Sequence, residues 1–164
     1  MTKITFKDNP IELEGNTLNV GDQAPEFTAV ATDLSEVSSS EYAGKKRLIS
    51  VVPSLDTGVC STQTKHFNDA AAEHNVTVLT ISNDLPFAQK RWCGANNADN
   101  VVTLSDHKLL DFANKYGVLM PNLRLLARSV FVVDANDKIA YIEIVPEGTN
   151  EPDYKKALDA LNAL

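Results

Sequence analysis

Two residues in one short segment, Thr57 and Cys60, have the types and the spacing needed for thiol chemistry. They follow the apolar run 48–52 and Pro53, and the polar stretch after Cys60 predicts a helix from about Ser61 to His74. The thiol therefore lies where a buried strand turns into a helix. Backbone N–H groups and the positive end of the helix dipole favour a thiolate over a thiol at such a place. This placement suits a nucleophile that accepts oxygen.

The residues around Cys60 favour the same chemistry. Pro53 fixes its own φ, ends the strand and can shield one side of the thiol. The Thr57 hydroxyl can reach the sulfur or the oxygen that it attacks, and Gly58 permits a close approach of the backbone. The alternative is that Thr57 only caps the helix and Cys60 is a small buried residue. The spacing of Pro, Thr and Cys at a helix start favours the reactive interpretation.

Pro53, Thr57 and Cys60 match the signature Pro-x-x-x-Thr-x-x-Cys, and the chain resembles the peroxiredoxins. Residues 21–27 look like the N-terminal segment of that family. Further segments are similar to its bacterial thiol peroxidases, of the atypical two-cysteine type: residues 56–60, 82–89 and 92–95. The resemblance runs from about Gly15 to Leu164. It implies a thioredoxin-like fold with an added N-terminal β-hairpin, peroxide reduction without metal or flavin, and thioredoxin as the reductant.

The same resemblance implies that Cys60 is the peroxidatic cysteine, Cys93 the resolving cysteine and Arg128 the arginine of the site. Thiolate attack on a peroxide builds negative charge on the departing oxygen, which the Thr57 hydroxyl, backbone N–H groups and a guanidinium would stabilise. Arginines occur at positions 47, 91, 124 and 128. Arg128 immediately precedes the apolar strand 129–133, at a strand end, where α/β sites gather. The alternative for Arg128 is a surface charge.

Oxidation of Cys60 would give a sulfenic acid, which a second thiol must resolve. Cys93 is the other cysteine of the chain, and its alternative role is that of a core residue beside Trp92. A disulfide needs Cα atoms within about 7 Å, and cysteines in separate helices usually lie farther apart. Closing the bond would then require local unwinding, which the break at Gly94 and the Asn-rich loop 95–100 favour.

Composition places the chain among small globular proteins and predicts one domain over residues 1–164. The net charge of -7 argues against nucleic acid and anionic membranes as main partners. No apolar run approaches the roughly 20 residues that span a bilayer, and the first residues do not resemble a secretory signal, so we expect a cytoplasmic protein. The three histidines share no ligand spacing with the cysteines, which argues against a zinc site.

Strands that alternate with helices predict an α/β fold, a mixed sheet with helices on both faces. The expected strands are an N-terminal hairpin turning at residues 8–10, strands at 47–52, 76–81 and 101–104, and a second hairpin of 129–133 with 138–145; a loop with one helical turn is expected at 35–44. One expected helix is capped by Asn83 or Asp84 and ends at Gly94, and another runs from Asp106 to Gly117 with Leu109 and Leu110 inward. A C-terminal helix is expected with Ala157, Leu158, Leu161 and Leu164 on one face.

Two classes of function remain open from the residues. The first is a thiol-dependent peroxidase for hydrogen peroxide and organic hydroperoxides, serving antioxidant defence and, by the resemblance, forming a homodimer. The second is a non-catalytic redox sensor or binding module in which the same two cysteines only register oxidant. Both would contain a Cys60–Cys93 disulfide, so catalytic turnover with thioredoxin distinguishes them and the disulfide does not.

Overall fold

The computed structural model describes residues 2–74, 76–96 and 101–164. Their strands are β1 (Lys3–Phe6), β2 (Asn9–Glu12), β3 (Thr28–Val30), β4 (Glu36–Ser38), β5 (Arg47–Val51), β6 (Thr77–Ser82), β7 (Val102–Ser105), β8 (Leu119–Met120), β9 (Leu125–Leu126), β10 (Ser129–Val133) and β11 (Ile139–Ile144). Their helices are α1 (Gly58–His74), α2 (Pro86–Ala95), α3 (Asp111–Tyr116) and α4 (Tyr154–Asn162), with a 3₁₀ turn at Ser39–Tyr42. Within these ranges no helix has the length and hydrophobicity required to cross a bilayer.

Seven strands form one mixed sheet in the order β11-β10-β5-β6-β7-β3-β4. The central strands β5, β6 and β7 are parallel, while β10 runs antiparallel to β5 and β3 antiparallel to β7. Every residue of β5 and β10 is buried, which explains their nearly continuous apolar sequences. Strands β1 and β2 form the separate N-terminal hairpin. The predicted mixed sheet and hairpin are confirmed.

Helices cover both faces of the sheet. On one face, Phe67 of α1 and Leu161 of α4 pack with Leu48 and Val130 in one apolar cluster. On the other face, Phe112 of α3 lies edge-on to Phe131 of β10 with ring centroids 6.2 Å apart. Helix α2 contacts β7. The alternation of apolar side chains along β5 and β10 therefore supplies two separate cores.

The sheet register brings two distant segments to one edge. The parallel strands β5 and β6 end at the same edge, where each is followed by a loop and a helix. Strand β10 begins there, because Ser129 pairs with Val51 at the end of β5. The loop after β5 and the residue before β10 are consequently neighbours, although some 70 residues separate them in the sequence.

The hairpin and the first strand of the sheet differ from the prediction in detail. The turn lies at Lys7 and Asp8, both with positive φ (51° and 66°), as a two-residue hairpin requires. Asn9 and Pro10 belong to β2 instead. The predicted loop at 35–44 contains the short strand β4 as well as the helical turn.

The predicted starts of α2 and α3 were wrong. Helix α2 follows Leu85 without a side-chain cap, because the Asp84 carboxylate is bonded elsewhere. Helix α3 begins at Asp111, since Leu110 adopts a left-handed conformation (φ 51°), and Leu109 is exposed rather than inward. The Asp106 carboxylate nevertheless accepts hydrogen bonds from N–H groups at the start of α3. The predicted inward side chain of residue 74 and most of the predicted loop, residues 97–100, lie outside the description.

We expect Asp106 to lower stability as the pH rises from about 4 to about 6. Burial raises the pKa of its carboxyl from 3.8 to about 6, despite the N–H donors of Phe112 and Ala113, which lower it. In this window the folded protein binds a proton that the unfolded chain has released, so the free energy of unfolding falls with rising pH. Urea unfolding of the wild type and of Asp106→Asn should give a stability difference that declines through the window. A difference that is independent of pH would contradict the assignment.

Candidate active site

Cys60 lies in the first turn of α1, and the helix begins at Gly58, three residues earlier than predicted. Its side chain is buried, and its N–H donates to Thr57 Oγ1 at 3.3 Å. The Thr57 hydroxyl in turn donates to the Ser54 carbonyl at 3.2 Å. Thr57 therefore caps the helix in this structure, and the same bonds hold its hydroxyl in the turn that carries the sulfur.

The structure treats the other two residues of the segment differently. Pro53 is buried at the start of the loop, directly after the end of β5. A Cβ built at Gly58 would meet no atom within 4 Å. The space beside Gly58 is therefore open, and the predicted close approach of another group to its backbone stays a prediction.

Arg128 contacts the sulfur of Cys60. Its Nη2 donates to Cys60 Sγ at 3.1 Å, its Nη1 to Gln63 Oε1 at 2.9 Å and its Nε to the Gly148 carbonyl at 2.9 Å. Three partners in three directions fix the plane of the guanidinium, which is 2% exposed. The alternative of a surface charge is thereby excluded.

The charge of Arg128 needs compensation. Among the carboxylates that the structure describes, none forms an ion pair with this guanidinium. A buried charge without a counter-ion is costly, and a thiolate at Cys60 would supply the missing negative charge at 3.1 Å. Two other arginines are already paired, Arg47 with Asp137 at 2.8 Å and Arg91 with Asp56 at 3.7 Å.

A carboxylate from the next strand end holds the loop before α1. Asp84 Oδ1 accepts a hydrogen bond from the Ser54 hydroxyl at 2.7 Å, and Asp84 Oδ2 accepts one from the Leu55 N–H at 2.8 Å. The Ser82 hydroxyl donates to the same Oδ2 at 2.8 Å. Asp84 therefore ties the loop that precedes Cys60 to the loop that precedes α2, instead of capping α2.

Cys93 lies on α2 and packs against a small apolar cluster that contains Cys60 and Trp92. Both cysteines are reduced in this structure. Cys93 Sγ lies 4.0 Å from Thr103 Oγ1, and Trp92 Nε1 donates to Ser61 Oγ at 3.2 Å. The Trp92 side chain thus joins the helix of one cysteine to the helix of the other.

An open cavity of about 380 Å³ lies beside Cys93 and is lined by Tyr42, Lys90 and Val102 among others. Cys93 therefore borders open space, whereas Cys60 is enclosed. Within residues 2–74, 76–96 and 101–164, His, Cys, Asp and Glu side chains form no group of three that could hold a metal ion.

Gln63, Asp84 and Gly148 were missed as parts of the site. Gln63 follows Cys60 by one helical turn, so the predicted helix could have indicated that both share a face. Its amide also donates to Ser50 Oγ at 2.9 Å, which orients the oxygen toward Arg128. Asp84 and Gly148 act through long-range contacts that no spacing in the sequence reveals.

Comparison with known proteins identifies the family. The redoxin family matches residues 19–158. The thiol peroxidases of Staphylococcus haemolyticus and Staphylococcus aureus (strain COL) are 60% and 59% identical to this chain over 160 residues, which is 98% of each protein. The chain belongs to the redoxin family, among its thiol peroxidases. It is therefore an enzyme, a peroxidase that depends on a thiol.

Solved structures confirm the fold of this thiol peroxidase. A peroxiredoxin-like protein from Aquifex aeolicus superimposes with a TM-score of 0.92 at 42% identity, covering 99% of this chain and 97% of its own. A thiol peroxidase from Chromobacterium violaceum reaches a TM-score of 0.88 at 18% identity, covering 98% and 95%, and its likeness concerns the fold alone. The predicted thioredoxin-like fold with an N-terminal hairpin is confirmed.

We expect Gln63→Leu to slow the oxidation of Cys60 by peroxide about tenfold, because Arg128 loses the acceptor that holds its Nη1. The rate is measured by stopped-flow mixing with hydrogen peroxide. Asp106→Asn is the control, since it changes a buried polar group that does not contact the Arg128 guanidinium. If both variants slow oxidation equally, Gln63 acts only on stability.

Proposed function

We propose that this thiol peroxidase reduces hydrogen peroxide and organic hydroperoxides at Cys60, acting as one domain of residues 1–164. The observation that carries the proposal is the 3.1 Å contact between Arg128 Nη2 and the enclosed Cys60 sulfur. It puts a permanent charge beside the atom that must become an anion to attack. The start of α1 adds N–H donors, and the Thr57 hydroxyl would add another donor when it leaves the Ser54 carbonyl.

In the first step the Cys60 thiolate attacks the distal oxygen of the peroxide. An S–O bond forms and the O–O bond breaks, with its electron pair moving to the departing oxygen. That oxygen takes up a proton and leaves as water or an alcohol, and Cys60 becomes a sulfenic acid. Arg128 and Thr57 stabilise the charge on the departing oxygen, while Pro53 shields the sulfur.

In the second step the Cys93 thiol condenses with the sulfenic acid, which forms the Cys60–Cys93 disulfide and releases water. The dithiol of thioredoxin then attacks this disulfide, so that both cysteines become thiols again and thioredoxin is oxidised. The electrons for each step of the proposed cycle come from thiols alone. Cys93 suits the resolving role because it packs against the cluster that contains Cys60.

The proposed setting is the cytoplasm, where thioredoxin is kept reduced and the enzyme would serve antioxidant defence and redox homeostasis.

We also propose a homodimer. Leu85 and Phe87 at the start of α2 are 52% and 65% exposed, and Leu123 on the neighbouring loop is 41% exposed. The two loops are joined by a hydrogen bond of 2.7 Å from Asn83 Nδ2 to the Arg124 carbonyl. Sedimentation velocity tests the dimer.

The division of labour between the cysteines predicts different variant behaviour. In an assay that couples peroxide to NADPH through thioredoxin and its reductase, Cys60→Ser should lose all turnover. Cys93→Ser should consume one equivalent of peroxide at the normal rate and then stall as a sulfenic acid, because only Cys60 lies beside Arg128. Mass spectrometry identifies the stalled product.

The assay can also contradict the proposal. If Cys93→Ser loses the first oxidation as completely as Cys60→Ser, the assignment of roles is wrong. If the wild type forms the disulfide but consumes no NADPH with thioredoxin, another reductant must serve the enzyme. Comparing hydrogen peroxide with cumene hydroperoxide in the same assay measures the substrate preference.

Disulfide formation should change the environment of Trp92. This side chain packs with Cys60 and bonds to Ser61, so any rearrangement that joins the two sulfurs must move it. We expect its fluorescence to change when peroxide is added and to recover with reductant. Amide exchange around residues 54–62 and 84–96 should be faster than in β5 and β6. Unchanged fluorescence together with identical exchange in both redox forms would rule out the rearrangement.

A further inference from the structure

The N-terminal hairpin, β1 and β2, lies outside the part of the chain that matches the redoxin family, which begins at residue 19. It is nevertheless bonded to the segment that follows β11. Thr5 N–H donates to the Pro146 carbonyl, and Gly148 N–H donates to the Thr5 carbonyl, each at 2.8 Å. Thr5 and Glu147 thus pair like residues of two parallel strands.

Side chains reinforce this pairing. The Glu147 carboxylate accepts hydrogen bonds from the Thr5 hydroxyl at 3.0 Å and from the Asp8 N–H at 2.8 Å, both on the hairpin. It also accepts from the hydroxyl and N–H of Thr149 on its own segment. These donors, Thr149 foremost, lower the pKa of Glu147 to about 2, so the carboxylate stays ionised at neutral pH.

The buried Gly148 fits directly against the hairpin. A Cβ at this position would lie 2.5 Å from Cδ2 and 3.2 Å from Cε2 of Phe6. The Phe6 ring is partly buried and packs against the main core, which opposes its rotation away from Gly148. Any side chain at position 148 must therefore displace the Phe6 ring or push the segment and the hairpin apart.

The carbonyl of the same Gly148 accepts the hydrogen bond from Arg128 Nε. Arg128 in turn contacts Cys60 Sγ through Nη2. Gly148 thus lies between the Phe6 ring and the Arg128 guanidinium. A shift of the Gly148 carbonyl would turn the guanidinium about its contact with Gln63.

We propose that the N-terminal hairpin is a positioning element of the active site, which sets the Arg128 guanidinium against Cys60 through the contact of Phe6 and Thr5 with Gly148. This inference rests on the proposed roles of Cys60 and Arg128. The hairpin does not touch the sulfur, and Phe6, Thr5 and Gly148 act through Arg128. The consequence is that a change at the hairpin alters the reactivity of Cys60 as well as the stability of the fold.

The test measures the rate of Cys60 oxidation by hydrogen peroxide in the Cys93→Ser background, as a function of pH. Gly148→Ala should slow the oxidation about ten- to hundredfold, because a displacement of about 1 Å near reacting groups has effects of that size. Phe6→Ala alone should slow it only a few-fold. The double variant Phe6→Ala/Gly148→Ala should be faster than Gly148→Ala, because the ring that collides with the new Cβ is gone.

Gly44→Ala is the matched control. Gly44 has a φ of 78°, so alanine there costs stability, and it lies at the other end of β5, where its N–H bonds to Asp137. Gly44→Ala should lower the melting temperature without changing the rate or pH profile of Cys60 oxidation.

Glu147→Gln removes the charge that binds the hairpin and should slow oxidation two- to threefold. This variant tests the positioning role if Gly148→Ala does not fold.

The outcomes separate the two ideas. If the Cys93→Ser parent does not react with peroxide, the proposed function fails. If the parent reacts and both Gly148→Ala and Glu147→Gln match its rate and pH profile, the positioning role is overturned. It is also overturned if Phe6→Ala gives no recovery to Gly148→Ala, since the effects would then be independent.

Discussion

The buried hydrogen bond between Arg128 and the sulfur of Cys60 is the interaction on which the site depends. A guanidinium that is 2% exposed, with no carboxylate of the described residues paired to it, is stable only if another anion compensates it. A thiolate at Cys60, as the proposed mechanism requires, would be that anion. Hydrogen bonds to charged groups contribute about 1.5–3 kcal/mol each. Gln63 accepts such a bond from Nη1 of the guanidinium, and Gly148 accepts one from Nε. The chemistry of the cysteine and the burial of the arginine are therefore two aspects of one constraint.

The sheet supplies this constraint through its register. Because Ser129 pairs with Val51, Arg128 must lie at the end of β5, where the chain enters the loop of Pro53.

The sheet surface on which the helices of the two cysteines pack is unusually polar for a core. Ser50, Thr80 and Thr103 occupy one face of the central strands, all at most 4% exposed, and the Thr80 hydroxyl has no hydrogen-bond partner. Polar contacts of this kind stabilise helix packing less than apolar ones, because an unsatisfied buried group carries a cost. Such an interface would suit the separation of helices that formation of the proposed disulfide requires.

The sequence predicted the positions of Thr57, Cys60 and Arg128 better than the residues that hold them in place. The spacing of Thr57 and Cys60 after an apolar strand indicated a capped helix start, and the structure has one. Arg128 was placed at a strand end by the apolar run after it, and the resemblance to peroxiredoxins gave it a role. The supports were missed because their signals are not local. Asp84 follows a strand and precedes a helix, so it looked like a cap, yet its carboxylate reaches Ser54 and Leu55 across the sheet edge. The start of α3 was misplaced because the left-handed Leu110 breaks a helical pattern without any Gly or Pro to indicate it.

In the proposed cycle Cys60 is first held for attack on the peroxide and then released, and different contacts serve the two steps. In the proposed cycle, formation of the disulfide would withdraw the sulfur from Arg128, and one of the three hydrogen bonds of the guanidinium would be lost. The bonds to Gln63 and Gly148 do not involve Cys60, so Arg128 can keep its position while the sulfur is away. The N-terminal hairpin holds Gly148 through Thr5, and this hairpin is not part of the helices that the proposed cycle would move. In this scheme Arg128 keeps its position while Cys60 moves. Reduction of the proposed disulfide would then return the sulfur to a site that has remained formed, so the site would not have to be rebuilt in every cycle.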